Sequence, residues 1–79
     1  MDLEKAGFSR RELEVGKLLM KHPETDKELA WRMNISPETF RNHLKSMRRK
    51  LNVNTKQQLI EKIRWYYNHE EQERPNNQN

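Results

Sequence analysis

Apolar residues recur at helical spacing in four stretches of this chain, and polar or helix-breaking residues separate the stretches. The clearest run is Phe40, Leu44, Met47 and Leu51, spaced four, three and four apart. At 100° per residue Leu44, Met47 and Leu51 stay within about 40° of Phe40, so the four form one stripe along a helix. Val15, Leu18 and Leu19 share a face in an earlier stretch, with Phe8 placed as a staple just before it. Leu29, Ala30 and Met33 supply a short third face. Leu59, Ile60, Ile63, Tyr66 and Tyr67 supply a wide fourth one, which leaves Trp65 on the opposite side with Gln58, Glu61 and Lys62. No segment alternates in the manner of a strand.

Each stretch opens on a helix-start signal. Ser9 is followed at the third position by Glu12, Thr25 by Glu28 and Thr55 by Gln58, the spacing at which two side chains satisfy each other's orphan backbone N–H groups. Ser36-Pro37 is a different start, an N-cap serine with proline in the first helical position. The pattern predicts helices over 10–20, 26–33, 37–51 and 56–67. Pro23 breaks the chain between the first two, "MNIS" is a tight turn between the second and third, and "NVN" links the third to the fourth. Gly16 falls mid-helix, at a cost of roughly 1 kcal/mol against alanine. Residues 1–7 are expected as an N-terminal extension, 8–68 as one domain, and 69–79 as a disordered polar tail, because "NHEEQERPNNQN" holds no apolar residue.

Size and composition narrow the class. The chain has 79 residues, of which 32% are hydrophobic and 35% charged, so one small domain with a thin core is expected. Cysteine is absent and His22, His43 and His69 are scattered, which points to no metal and no cofactor. No apolar run approaches the length of a membrane span, and the N-terminus lacks a signal-peptide core; a cytoplasmic protein is the expectation. No nucleophile–base pair, carboxylate pair or phosphate-cradling glycine loop appears, so an enzyme is not expected.

The distribution of charge says more than its total. The chain is formally +4. Between Ser36 and Lys56 six cations (Arg41, Lys45, Arg48, Arg49, Lys50, Lys56) face one acid, Glu38, so this window alone exceeds the net charge of the whole. A charged helix face is ordinarily a solvated surface. Here the acids that would neutralise it at i±4 are nearly missing, a short helix precedes it across a turn of about three residues in the helix-turn-helix manner, and Thr25, Lys27 and Lys56 sit at helix starts, where backbone N–H groups also meet phosphate. The outward residues best placed to read base edges are Arg41, Asn42 and Lys45. Arginine can pair with guanine O6/N7 and asparagine with adenine N6/N7. Double-stranded DNA is the expected partner.

At these residues the sequence resembles a family. "FSRRELEVGKLL" and "TDKELAWRMNISPETFRNHLKSMRRKLNVNTKQQLI" are similar to the LuxR/GerE-type helix-turn-helix domain of bacterial transcription regulators. The matching signature is Glu12, Glu14 and Val15, then Lys27-Glu28-Leu29-Ala30, Ile35-Ser36, Thr39, Asn42-His43-Leu44, and Lys50-Leu51 with Val53. The resemblance implies an all-α, four-helix domain without a wing, whose third helix enters the major groove. It places Arg41, Asn42 and Lys45 at base-reading positions and Thr25, Lys27, Thr39, Arg49, Lys50 and Lys56 near phosphates. It implies a homodimer formed through the fourth helix on inverted half-sites; helical phase, which leaves Trp65 off the core face, puts Trp65 in or beside that contact, with Lys62 and Tyr66. It also implies a standalone, GerE-like regulator in the bacterial cytoplasm, associated with the nucleoid. Departures from the family pattern are Gly16, the longer "KHPE" loop, Trp31 in place of a small polar or basic residue, and the "WYYN" ending. The competing expectation is an adaptor that binds RNA polymerase or another regulator through the same helices, with weak DNA binding.

Overall fold

The computed structural model of the chain describes residues 3–22 and 24–72. Four helices occur among them and no strand: α1 (Arg10–Lys21), α2 (Asp26–Arg32), α3 (Pro37–Leu51) and α4 (Lys56–Gln72). The all-α expectation is met and, among the described residues, there is no β-wing.

The starts form as their side chains dictate. Ser9 and Thr25 each close a capping box with Glu12 and Glu28. Ser36 accepts the Thr39 N–H with Pro37 at the first helical position. At α4 the pattern differs by one residue. Thr55 accepts the Gln58 N–H at 3.0 Å, but the Gln58 side chain reaches back to the N–H of Asn54, not to that of Thr55. The ends also have chemical causes. Asn52 closes α3 in the left-handed conformation (φ 58°), which lets the Val53 N–H reach the Arg48 carbonyl at 2.9 Å. Asn34 adopts the same conformation (φ 62°) in the turn after α2, and the Ile35 N–H then reaches the Ala30 carbonyl at 3.0 Å. Asparagine tolerates this region better than most residues. The bend at Asn34 makes the α2–α3 turn tight, and the one at Asn52 does the same between α3 and α4.

Packing centres on α3, which touches each of the other three helices. Its stripe, Phe40, Leu44, Met47 and Leu51, is buried, and Val15, Leu19, Leu29, Ala30, Leu59 and Ile63 close around it. Leu18, Met33, Ile60, Tyr66 and Tyr67 lie half-buried at its margin.

Four boundaries differ from the sequence expectation, the first being the end of α1 at Lys21, one residue beyond 20. The second helix stops at Arg32, and Met33 caps it. The fourth runs to Gln72, five residues past Tyr67, so the first part of the tail expected at 69–79 is the last turn of α4, and 73–79 lies outside the described residues. At the N-terminus Leu3 is buried beside Phe8, and residues 3–7 curl over it through bonds from the Ala6 and Phe8 N–H groups to the Leu3 carbonyl, both 3.1 Å. Gly7 (φ 99°) makes that curl possible. The sequence pattern missed Leu3 because a single apolar residue outside a periodic run carries no phase.

Gly16 is buried in α1 against α4. A methyl placed on it would meet Ile63 Cδ1 at 3.5 Å, Ile63 Cγ2 at 3.8 Å and Met47 Cε at 3.9 Å, all ordinary van der Waals separations. Nothing there requires glycine. Gly16→Ala should therefore stabilise the domain by about 0.5–1 kcal/mol through reduced backbone freedom in the unfolded chain. Thermal or urea denaturation checks this; a loss of stability would mean that α1 and α4 sit closer than these distances.

Candidate nucleic-acid interface

The half of α3 that does not pack is its cationic half. Arg41, Asn42, Lys45 and Arg49 are exposed, and among the described residues none of the four has a hydrogen-bond or ion-pair partner. Arg48 is half-buried at the edge of the stripe. The outward placement of Arg41, Asn42 and Lys45 follows from helical phase alone once Phe40 and Leu44 are fixed inside. Lys27, exposed on α2, is also without a partner among the described residues.

The other residues expected near phosphates are engaged. The Lys50 ammonium lies 2.7 Å from Oε1 of Glu12, whose side chain is only 5% exposed. The same Oε1 accepts the Ser9 N–H at 2.8 Å, so one carboxylate caps α1 and pins the C-terminal end of α3. Burial pushes the Glu12 carboxyl pKa up. The bonds from Lys50, Ser9 and Ser46 outweigh that push and hold it below the ordinary 4.5. Lys56, at the start of α4, lies 2.5 Å from Asp26 Oδ1 at the start of α2. Thr25 spends its hydroxyl within its capping box, donating to Glu28 Oε1 at 3.2 Å and accepting the Glu28 N–H at 3.3 Å. Thr39 accepts the Ser36 hydroxyl at 2.9 Å and is otherwise exposed. Neither ion pair was legible in the sequence. Glu12 and Lys50 are 38 positions apart, Asp26 and Lys56 are 30 apart, and no periodicity links them.

Two more polar anchors fix α1 and α2. Arg11 bonds Glu14 at 2.7 Å and donates to the Met33 carbonyl at 3.3 Å, covering the C-terminal end of α2. Arg32 grips Glu24 Oε2 with Nε at 3.1 Å and Nη2 at 2.6 Å, and this guanidinium lowers the Glu24 carboxyl pKa. His43 is half-buried on α3 and has no hydrogen-bond partner among the described residues.

The model of the family described as bacterial regulatory proteins, luxR family, matches residues 6–63. The chain belongs to the luxR family of bacterial regulatory proteins. Its four helices are thus that family's helix-turn-helix DNA-binding domain, the domain of a transcription regulator. No curated protein and no solved structure matches the chain. Among the described residues no helix is long and apolar enough to cross a membrane.

The remaining expected contacts lie on α4. Trp65 is 47% exposed and Lys62 is exposed beside it, while Tyr66 is half-buried. Trp65 stacks on His69 with ring centroids 3.7 Å apart and meets the edge of Tyr66 at 5.2 Å. The His69 Nδ1–H donates to the Trp65 carbonyl at 2.9 Å, which fixes the stack one turn apart. Trp31 on α2 is far more open, at 83%.

Glu12 provides a pH test of the α1–α3 pin. Its folded-state pKa lies below the unfolded one, so the stability it contributes is whole above about pH 4.5 and is lost as pH falls through the folded value. Glu12→Gln keeps a group able to close the capping box and removes the charge that Lys50 needs. It should cost about 1–2 kcal/mol near pH 7, a range discounted for the partly solvated lysine. Its stability should also decline less steeply than the wild type's below pH 4.5. Urea titrations at several pH values measure both; parallel pH curves for the two proteins would remove the pin.

Proposed function

We propose that the chain acts as a sequence-specific DNA-binding transcription regulator that inserts α3 into the major groove, as a two-fold dimer on inverted half-sites. One observation carries the reading. On the outer face of α3, Arg41, Asn42, Lys45 and Arg49 are exposed with no partner among the described residues, in the stretch of chain where six cations face one acid. Cations left without internal partners favour a polyanion. Arg41, Asn42 and Lys45 are the base readers. Arg49, Thr39 and Lys27 meet phosphates on either side. Lys50 and Lys56 act chiefly by orienting α3 and α4, and Thr25 by capping α2.

The two kinds of contact differ in their response to sequence and salt. Arg41→Ala should weaken the specific site by about 1–3 kcal/mol and relax preference at one or two base pairs. Lys27→Ala should weaken all sequences about equally and lower the slope of log affinity against log salt by about one. Binding to selected and random DNA at several salt concentrations separates them. If Arg41→Ala leaves the ratio of specific to random affinity unchanged, the base-reading assignment fails.

A second reading is favoured by Trp31. It stands over an open groove lined by Thr25, Lys27, Glu28, Ile35 and Pro37, and an exposed tryptophan beside apolar surface suits a protein contact. In this reading the domain is an adaptor for RNA polymerase or another regulator. Weak DNA affinity with little salt dependence would favour it over the first.

Dimerisation through α4 has its own test. Trp65 is the large aromatic that helical phase leaves off the core of α4, and stacking on His69 holds it in one orientation. Trp65→Ala should leave folding largely intact and weaken an inverted repeat by about tenfold more than a single half-site, because the second copy binds at high effective concentration only while the two touch. Sedimentation of the free protein should show less dimer. Unchanged dimer content and unchanged repeat affinity would move the contact to another surface.

A further inference from the structure

Glu38 is the one acid among the six cations between Ser36 and Lys56. It lies in the first turn of α3 and is exposed. Its position is three, four and seven residues before Arg41, Asn42 and Lys45, so all four side chains lie along one stripe. Arg41 is one turn away at a spacing where ion pairs form readily. Even so, Glu38 has no hydrogen-bond or ion-pair partner among the described residues. A lone carboxylate on the face proposed to meet DNA therefore stands unneutralised.

That placement has a chemical consequence. An ionised carboxylate only accepts hydrogen bonds. The phosphates repel it, and so do guanine N7 and O6, adenine N7 and thymine O4 in the major groove. Only the exocyclic amino groups of cytosine and adenine donate there, and cytosine presents its amino group without an adjacent acceptor on the same base. We propose that Glu38 is a specificity-determining residue that accepts a hydrogen bond from the N4 amino group of a cytosine at the end of the half-site nearest the start of α3. Most of its effect is a penalty. Where the base it faces is guanine or thymine, the carboxylate is brought against acceptors and loses its water without replacement. Arg41, Asn42 and Lys45 attract the helix to DNA, and Glu38 subtracts from that attraction everywhere except at the correct pair.

This inference rests on the proposed insertion of α3 into the major groove. The test is selection from random DNA by the full chain at one stated salt concentration, followed by affinity measurements on the selected and permuted sites. The proteins compared are the wild type, Glu38→Ala, Glu38→Gln and Arg41→Ala. For the wild type a cytosine preference is expected at one position near the half-site end. In Glu38→Ala that preference should fall by about tenfold while preferences at other positions stay. Its affinity for random DNA should rise by about threefold, because one repulsive charge is gone. Glu38→Gln should move the preference at the same position toward adenine, whose N6 and N7 match an amide.

A first-turn acid also favours the positive end of its helix. That role alone would lower the melting temperature of Glu38→Ala and leave every base preference in place, which overturns the inference. A cytosine preference retained in Glu38→Ala overturns it too. If Arg41→Ala is equally without effect on base preference, the insertion of α3 itself has failed. If Arg41→Ala relaxes preference and Glu38→Ala does not, only the role of Glu38 has failed.

Discussion

One helix has to serve as the centre of the core and as the outer face at once, and the rest of the domain is arranged around that constraint. The buried stripe of α3, Phe40, Leu44, Met47 and Leu51, contacts all three other helices. With so few apolar residues in the chain, no other element can replace it. The stripe occupies one side, so the other side is free of packing duty along its whole length. Fixing the inward phase of Phe40 fixes the outward phase of Arg41, Asn42 and Lys45 with no further contact needed. A rotation of α3 about its axis would uncover the core and misdirect the polar face together, which is why helix orientation here is set by burial of apolar area more than by any polar bond.

Polar bonds then fix what burial leaves loose. A hydrophobic stripe resists rotation well but sliding less well, since successive turns offer similar surfaces. Lys50 on the shielded carboxylate of Glu12 anchors the far end of α3 to the start of α1. Lys56 on Asp26 ties the starts of α4 and α2. Each pair joins a lysine to a residue in the first turn of another helix, so the start of α1 is registered against the end of α3 and the start of α2 against that of α4. The domain's cations thus divide into two groups. Lys50 and Lys56 hold carboxylates that set its geometry, while Arg41, Lys45 and Arg49 on the outer face of α3 have no partner among the described residues. That division also separates Lys50 and Lys56 from Lys27, although all three look alike as basic residues near helix ends.

Most of the fold was legible in the sequence because the signals involved are local. Helical phase predicted the buried face of α3 and the exposure of Trp65. Cap chemistry placed the starts at Ser9, Thr25, Ser36 and Thr55, three of them with the bonds expected. What was missed depends on distant parts of the chain. Leu3 is buried because Phe8 and the glycine turn at Gly7 bring it back to the core. The continuation of α4 to Gln72 has no apolar face to announce it, and the Trp65–His69 stack and bond support its last turns. The candidate site divides the same way. Phase sufficed for the outward placement of Arg41, Asn42 and Lys45, whereas the engagement of Lys50 and Lys56 needed tertiary proximity.

The unpaired face has an energetic consequence for the domain itself. Arg41, Lys45, Arg48 and Arg49 lie within about two and a half turns of one helix, and like charges at these spacings oppose folding by a few tenths of a kcal/mol per pair. A core this thin has little surplus with which to absorb that strain. Neutralising Arg41 with Glu38 would relieve part of it at no cost in length, yet the two side chains remain apart. The free domain therefore carries a repulsion that a polyanion removes. Binding then both recruits the nucleic acid and relieves the protein, and by linkage the bound domain is the more stable one. The same unneutralised charge that makes α3 attractive to any phosphate chain makes affinity alone a poor guide to sequence. In the proposed binding mode, discrimination falls to the few side chains on that face with directional bonding, the guanidinium of Arg41, the amide of Asn42 and the carboxylate of Glu38.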